Sequence, residues 1–484
     1  MTRNAEPHSW TLLQTLSALQ SGQIGALELL EHMLARHDRL NPAINAVVAT
    51  DPEGARTAAR AADNRRGGGR LNGLPMTIKE SFDTVGFATT AGIPPLAANR
   101  PAQDADAVAR LRAEGAVIWG KTNLPEAASD HQSYNDLFGM TRNPWDLERT
   151  VGGSSGGSAA ALAAGLTVLE LGSDIGGSIR LPAHFCGVWG LKTSFGIVPR
   201  RGHLPPMPGT LTEGPLSVAG PMARSAADLT LALEILAGAE PGAPWQLALP
   251  ASRHRHLRDF RVAVWTGDLP VDPEYAAAIQ RFADALEAEG VTVTRLRAAP
   301  EPQRGREDLY MKLLFATLGS GMPPEALAQF AAAAEGQPDG SHAAVMARAT
   351  HASAGEFAAL VERQAHLIAD WGRWFESHDI LLCPVSMTPA FPHQSGDGHG
   401  PVPQIARRLD LGDRQQPYLD NLLWPGVATL AHLPSVVRPL PEQLRGLPVG
   451  VQMIGPGHGD YTALAFAALC DQVFGGFTPP PGYE

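Results

Sequence analysis

Residues 151–192 read VGGSSGGSAAALAAGLTVLELGSDIGGSIRLPAHFCGVWGLK, and the reading of the chain turns on them. Two serines stand between glycines, Ser154 in GGSSGG and Ser178 in DIGGSIR. Between them lie a small-residue helical pattern over 158–165 and a short apolar strand pattern over 167–171. Glycine at this density strips Cβ atoms from the backbone, which can then turn tightly and approach a ligand. Successive glycine amides are also unshielded donors suited to an anion. Residues 152–156 satisfy G-x-S-x-G, which reads Ser154 as a nucleophile on a strand-to-helix elbow. Such an elbow also needs an acid and then a histidine downstream, an order that 16 histidines meet easily. A glycine-rich packing turn explains the pattern equally well, and the motif alone leaves both readings open.

Lysine usage adds a second signal. The chain has 38 Lys plus Arg, and only Lys79, Lys121, Lys192 and Lys312 are lysines. Where a plain positive charge suffices, this sequence uses arginine. A surviving lysine is therefore a candidate for work arginine cannot do, such as losing its proton near neutral pH. Lys79 lies in LPMTIKESF, an apolar strand pattern in which burial would depress an amine's pKa. A buried neutral amine is a general base, and Ser–Lys pairs are a variant of triad logic. Lys121 and Lys192 read as salt-bridging or incidental lysines.

Five segments occur together: residues 73–83 (GLPMTIKESFD), 120–125 (GKTNLP), 143–165 (NPWDLERTVGGSSGGSAAALAAG), 172–192 (GSDIGGSIRLPAHFCGVWGLK) and 446–455 (GLPVGVQMIG). In this combination and spacing the chain resembles the amidase signature family, most densely over residues 70–225. The resemblance implies an α/β fold: a single large domain with a mixed central sheet covered by helices on both faces. It implies a hydrolase that cleaves the C–N bond of linear carboxylic amides through an acyl-enzyme. In the family's Ser–Ser–Lys triad, Ser178 aligns with the nucleophile, Ser154 with a bridging serine held on a cis peptide, and Lys79 with the base. On this resemblance Ser154 relays a proton rather than attacking, and no histidine is needed. The backbone amides of Ile175, Gly176, Gly177 and Ser178 are expected to face the oxyanion. Ala128, Ser129 and Asp130 are expected on the acyl side of the pocket, and Asp174 and Arg180 as braces of the loop. No metal and no cofactor is implied. The expected substrates are neutral, apolar or aryl acyl amides, with esters and carbamates (urethanes) as further candidates. Two rivals stand beside this reading. One is the glutamine-hydrolysing component of a tRNA-dependent amidotransferase, which shares the triad but needs partner chains. The other is a non-catalytic binding protein, against which the intact Ser154, Ser178 and Lys79 argue.

Composition bounds the setting. A hydrophobic content of 44% with 18% charged residues describes a globular chain with a large core. A net charge of −11 argues against a nucleic-acid or anionic-membrane surface. No apolar run reaches 18 residues, so no transmembrane helix is expected. The opening MTRNAEPHSW lacks the apolar core of a signal peptide, and Cys186, Cys383 and Cys470 are few and odd in number. Both point to a reducing cytoplasm with buried thiols. The expected partner is a small-molecule amide, with neither nucleic acid nor membrane, acting on a monomer or homodimer.

Along the rest of the chain, periodicity predicts helices within 9–37, over 51–64 and over 104–115, then the strand AVIWG. The RRGGGR loop follows the second of these, and His8 and His37 read as surface residues. Alternating strand and helix patterns point to a sheet covered on both faces. Residues 122–140 read as an irregular loop and 199–221, dense in Pro and Gly, as a surface loop. By resemblance, the Met and Leu side chains of that second loop are expected to line an apolar pocket, with ordinary loop packing as the other reading. Residues 240–378 read as a peripheral or cap region, with strands RVAVW and VTVTRL around a helix over 272–290. Helices follow across 304–335 and 355–377, with 309–329 less regular. The core resumes over 379–484 with strands ILLCP, HLPSVV and PVGVQMIG and a closing helix over 460–474.

Overall fold

The computed structural model describes residues 6–65, 67–396 and 398–484. Residues 1–5, part of the opening segment without an apolar core, and Arg66 of the RRGGGR loop lie outside the described residues. Eight strands form the central sheet, in the order Thr292–Arg295, Arg261–Val264, Ile380–Cys383, Leu447–Ile454, Ser435–Leu444, Trp189–Lys192, Val218–Ala223 and Glu170–Asp174. Arg261–Val264 runs parallel to both neighbours and the other pairings are antiparallel, so the sheet is mixed as expected. Ile380–Cys383 and Leu447–Ile454 are buried at every residue. Their unbroken apolar runs suit strands covered on both faces. The hairpin between the two longest strands turns through Arg445 and Gly446, both at positive φ (54° and 76°), as a type I′ turn requires.

A second sheet of three strands, in the order Val47–Thr50, Val117–Thr122, Pro75–Lys79, carries the lysine motif. Pro75–Lys79 is buried at all five positions and packs beside the edge strand Glu170–Asp174 of the central sheet. The helix Gly156–Ala163 touches strands of both sheets and is buried at all eight residues. Its sequence GGSAAALA has one large side chain, so the helix is slim enough to sit between layers. The strand expected over 167–171 begins later, at Glu170. Thr167 Oγ1 closes a turn onto the Leu169 carbonyl at 2.9 Å, which delays pairing and brings Ser173 and Asp174 onto the strand.

The region read as peripheral divides in two. Arg261–Val264 and Thr292–Arg295 extend the central sheet at one edge, joined by the helix Pro273–Ala288. Asp272 caps that helix, accepting from the amides of Glu274 and Tyr275 at 2.8 and 3.3 Å. Four helices follow, Glu307–Gly319, Pro324–Ala334, His342–Thr350 and Ala354–Trp374. Residues 309–329 are thus more regular than expected. Glu307–Gly319 buries side chains on most of its circumference, so no one-sided stripe marks it as a helix. His8, expected at the surface, is buried against the His32 ring, with Nε2 3.1 Å from the Glu484 carbonyl. The three cysteines are buried and free. Among the described residues no helix is long and apolar enough to cross a membrane.

Candidate active site

Lys79 ends its strand fully buried, with Nζ 2.6 Å from Ser154 Oγ and 2.9 Å from Ser173 Oγ. Burial depresses its pKa to about 7; Asp174 opposes the shift and Arg200 adds to it. Much of this amine is therefore neutral near pH 7, as the lysine count suggested.

The Gly153–Ser154 peptide is cis. A Cβ on Gly153 would lie 2.2 Å from the Asp130 carbonyl oxygen, so glycine is what lets these two loops touch. The next amide, Ser155 N–H, donates to the Ser178 carbonyl at 3.0 Å, which ties the two serine motifs together. Ser178 sits in the tight turn between the strand Glu170–Asp174 and the helix Arg180–Cys186, with 5% of its surface exposed. Gly177 holds φ at +102°, and a side chain there would strike Leu181 and Pro425. One expectation fails locally. The Gly177 amide donates to Asp174 Oδ1 at 2.9 Å and is not free to face a substrate. A carboxylate three residues back captures it, a local side-chain to backbone bond of the kind Asp readily makes.

That carboxylate is itself clamped. Asp174 and Arg180 form a fully buried pair, with Arg180 Nε and Nη2 at 3.0 and 2.9 Å from its two oxygens. Burial alone would raise the Asp174 pKa, but Arg180, Lys192 and the Gly177 amide outweigh it and hold the carboxyl well below the usual range. Arg180 also donates to the Pro425 carbonyl and Thr429 Oγ1, both at 2.8 Å, anchoring the turn to the far side of the core. Two more residues orient the turn: Tyr310, which the sequence did not single out, and His131, which it offered as a rival base or a solvated loop residue. Tyr310 Oη donates to the Ile175 carbonyl at 3.0 Å, and His131 Nε2 lies 2.9 Å from the Gly176 carbonyl. A trans peptide directs its N–H opposite its C=O, so fixing the Ile175 carbonyl also fixes the direction of the Gly176 amide.

Asp130, expected on the acyl side of the pocket, is engaged by side chains of this protein. Its carboxylate is buried, paired with Arg407 at 2.6 Å, and accepts from Tyr418 and Tyr134 hydroxyls at 2.5 and 3.2 Å. A buried carboxylate is retained when its oxygens are met in this way. Ala128 and Ser129 stay partly exposed beside it. Ala127 and Ala128 both adopt positive φ, 52° and 54°, a conformation alanine rarely takes and one that concentrates at functional loops.

The other lysines separate cleanly. Lys121 is buried and donates to the Phe82 carbonyl at 2.8 Å, and Lys192 is buried and donates to the Thr193 and Leu433 carbonyls at 3.0 and 2.8 Å. Of the two readings offered for them, salt-bridging or incidental, these carbonyl contacts do not match the first. Lys312 pairs with Asp308 one helical turn away, at 2.7 Å.

Comparison with known proteins adds to this geometry. The family model described as Amidase matches residues 28–464. The chain belongs to the amidase family. An indoleacetamide hydrolase from Bradyrhizobium diazoefficiens is 33% identical to this amidase over 96% of the chain and 86% of the relative. A component of the glutamyl-tRNA(Gln) amidotransferase of Roseiflexus sp. is likewise 33% identical, over 94% and 95%. Among solved structures, a 6-aminohexanoate cyclic dimer hydrolase superposes with a TM-score of 0.78 at 26% identity, covering 99% of this chain and 100% of the other. The amidase is accordingly an enzyme acting on amide bonds, built as a single domain on the amidase signature fold. Ser173 lies inside one of the five sequence segments, but its contact with Lys79 depends on two sheets meeting and has no sequence signature. Tyr310 belongs to a distant helix and carries no local signal at all.

Proposed function

We propose that this amidase is a free-standing amidohydrolase that cleaves neutral carboxylic amides through Ser178, Ser154 and Lys79. The observation that carries the reading is the 2.6 Å contact between a buried amine and Ser154, one residue from a direct backbone bond to Ser178. Ser178 Oγ attacks the amide carbon while its proton passes to Ser154, whose own proton passes to neutral Lys79. The amides of Ile175, Gly176 and Ser178 receive the oxyanion; loss of one such donor typically costs about 2.7–4 kcal/mol of barrier. Collapse breaks the C–N bond, and the proton held by Lys79 returns through Ser154 to the leaving nitrogen. Water then enters, gives its proton along the same path, and releases the acid from the acyl-enzyme.

Two arginines of the site are already paired, Arg180 with Asp174 and Arg407 with Asp130, which favours a substrate without a carboxylate. The indoleacetamide hydrolase among its relatives points to aryl-bearing primary amides as the first class to try. Buried, unpaired cysteines suit a reducing cytoplasm.

The equal likeness to an amidotransferase component supports one alternative, hydrolysis of glutamine within a complex. The purified chain should be assayed alone against indoleacetamide, anilides, aryl carbamates, simple aliphatic amides and glutamine. Turnover of a neutral amide without partners is the expected result. Glutamine hydrolysis that appears only with a partner chain, and no turnover otherwise, would overturn the proposal.

A further inference from the structure

Behind Lys79 the polar contacts continue. Ser173 Oγ, 2.9 Å from Lys79 Nζ, is also 2.8 Å from His203 Nε2. His203 is buried and comes from the Pro- and Gly-rich segment expected to form a surface loop. The first part of that segment is docked edge-on against the lysine motif. Asp83 N–H donates to the Gly202 carbonyl at 2.7 Å, Leu204 N–H donates to the Ser81 carbonyl at 2.8 Å, and the His203 ring packs edge-on against Phe82. The ring is therefore fixed by main-chain pairing rather than by a mobile loop.

Its two nitrogens face different partners. Nδ1 lies 3.2 Å from the Pro205 carbonyl oxygen, which can only accept and calls for the hydrogen on Nδ1. Arg200 Nη2, which can only donate and would favour the other tautomer, is farther away at 3.4 Å, and the shorter contact is taken to set the tautomer. Nε2 is then an acceptor, facing the hydroxyls of Ser173 at 2.8 Å and Ser81 at 3.1 Å. With its hydrogen directed at His203, Ser173 offers Lys79 only lone pairs, and one amine N–H must point to it. A neutral amine has a single lone pair. That lone pair is left for the remaining partner, Ser154.

We propose that His203 is a positioning residue for the amidase reaction: acting through Ser173, it turns the lone pair of Lys79 toward Ser154. This rests on the assignment of Lys79 as the base. His203 does not itself touch the reacting atoms, and its own proton affinity keeps it out of acid–base work. Burial, the Arg200 guanidinium and Lys79 together hold its pKa well below the ordinary histidine value. The charged groups acting on this relay are Arg200 on the His203 side, Asp174 on the Lys79 side, and Glu213 beyond Arg200.

The test is a double-mutant cycle on His203→Leu and Ser173→Ala, with His203→Gln as the conservative variant and Lys79→Ala alongside. Each is followed by kcat, KM and the pH profile on an amide that the wild type turns over. His203→Leu should lower kcat about tenfold, the weight of one oriented hydrogen bond, and leave KM within about twofold. The acidic limb should move to lower pH, because a Ser173 no longer polarised by His203 stabilises the ammonium less. His203→Gln, which can return an acceptor to the position of Nε2, should recover most of the rate. In the Ser173→Ala background, His203→Leu should have no further effect, whereas a purely structural role would give additive losses. A folded His203→Leu enzyme with wild-type kcat and an unmoved acidic limb overturns the proposal, and so do additive losses in the cycle. If His203→Leu fails to fold, Ser173→Ala decides, and full activity there is equally fatal. Activity surviving in Lys79→Ala is a different failure, that of the base assignment itself.

Discussion

Lys79→Arg separates chemistry from charge. The substitution keeps a long cationic side chain on the same buried strand end. Lys79 titrates near 7, so at pH 7 about half of the wild-type enzyme holds the neutral amine that can take a proton from Ser154. Arginine titrates above about 12, and a guanidinium in its place is neutral in fewer than roughly one molecule in 10⁵ at that pH. General-base contributions run at about 10²–10⁴, so kcat/KM should fall by about 10³-fold, nearly as far as for Lys79→Ala. The sign of the pH dependence follows from the same value. In the proposed mechanism the protonated amine is the inactive form, so wild-type activity should rise through pH 7 and reach about one-tenth of its plateau at pH 6. Lys192 also titrates near 7, held down by burial and Arg180 against the pull of Asp174 and Asp460. A Lys192→Met control should leave the position of the limb where it is. The assay is kcat/KM between pH 5.5 and about 9.5 on a chromogenic anilide, after circular dichroism shows each variant folded. A Lys79→Arg enzyme that keeps a tenth of the wild-type rate, or a wild type whose activity is flat from pH 5.5 to about 8, would refute the reasoning.

A fluorophosphonate probe should label Ser178 in the wild type and nothing in Ser178→Ala, read by peptide mass spectrometry; label on Ser154 of the intact enzyme would revive the elbow reading in which Ser154 attacks. Glu170 supplies a stability test. It is fully buried, and burial raises its pKa to about 8 against the opposing hydrogen bonds of Thr77, Ser158 and Thr122. A carboxyl with a folded pKa above its unfolded value of about 4.3 gives its full contribution below that unfolded value and loses it as pH climbs toward the folded one. Glu170→Gln should therefore leave Tm nearly unchanged at pH 5 and raise it at pH 8.5, and an equal shift at both pH values by scanning fluorimetry would count against the buried neutral acid.

Much of this architecture was legible in the residues themselves. The strand under Lys79, the buried runs of ILLCP and PVGVQMIG and the helix Asp460–Phe474 all follow from local apolar patterns, because their burial is set by their own side chains. What escaped was set by partners remote in sequence. Asp130 stands in a stretch that reads as an irregular loop, and it is Arg407, some 277 positions away, that makes its burial tolerable. Residues 199–221 read as an exposed loop from their Pro and Gly content. That holds for Met207 and Leu211, 59% and 72% exposed, but not for His203, because the pairing of Gly202 and Leu204 with the lysine motif needs only backbone atoms. Backbone docking of this kind leaves no side-chain pattern to find.

Burial by itself does not identify the base. Lys79, Lys121 and Lys192 are all fully enclosed, and burial lowers their pKa values to about 7, 8 and 7. A ranking by proton affinity would treat them as near equals. Their hydrogen-bond partners differ in kind. Lys192 faces two main-chain carbonyls, and Lys121 faces two carbonyls and one threonine hydroxyl. A carbonyl only accepts, so it fixes an amine by its N–H bonds and has no proton to give. Lys79 alone of the three faces two serine hydroxyls, and a hydroxyl both accepts and donates. On the assignment proposed above, His203 holds Ser173 in the role of acceptor, and Ser154 is left as the donor to a neutral Lys79. A proton would then enter this amine from one side only, through Ser154, as the proposed mechanism requires.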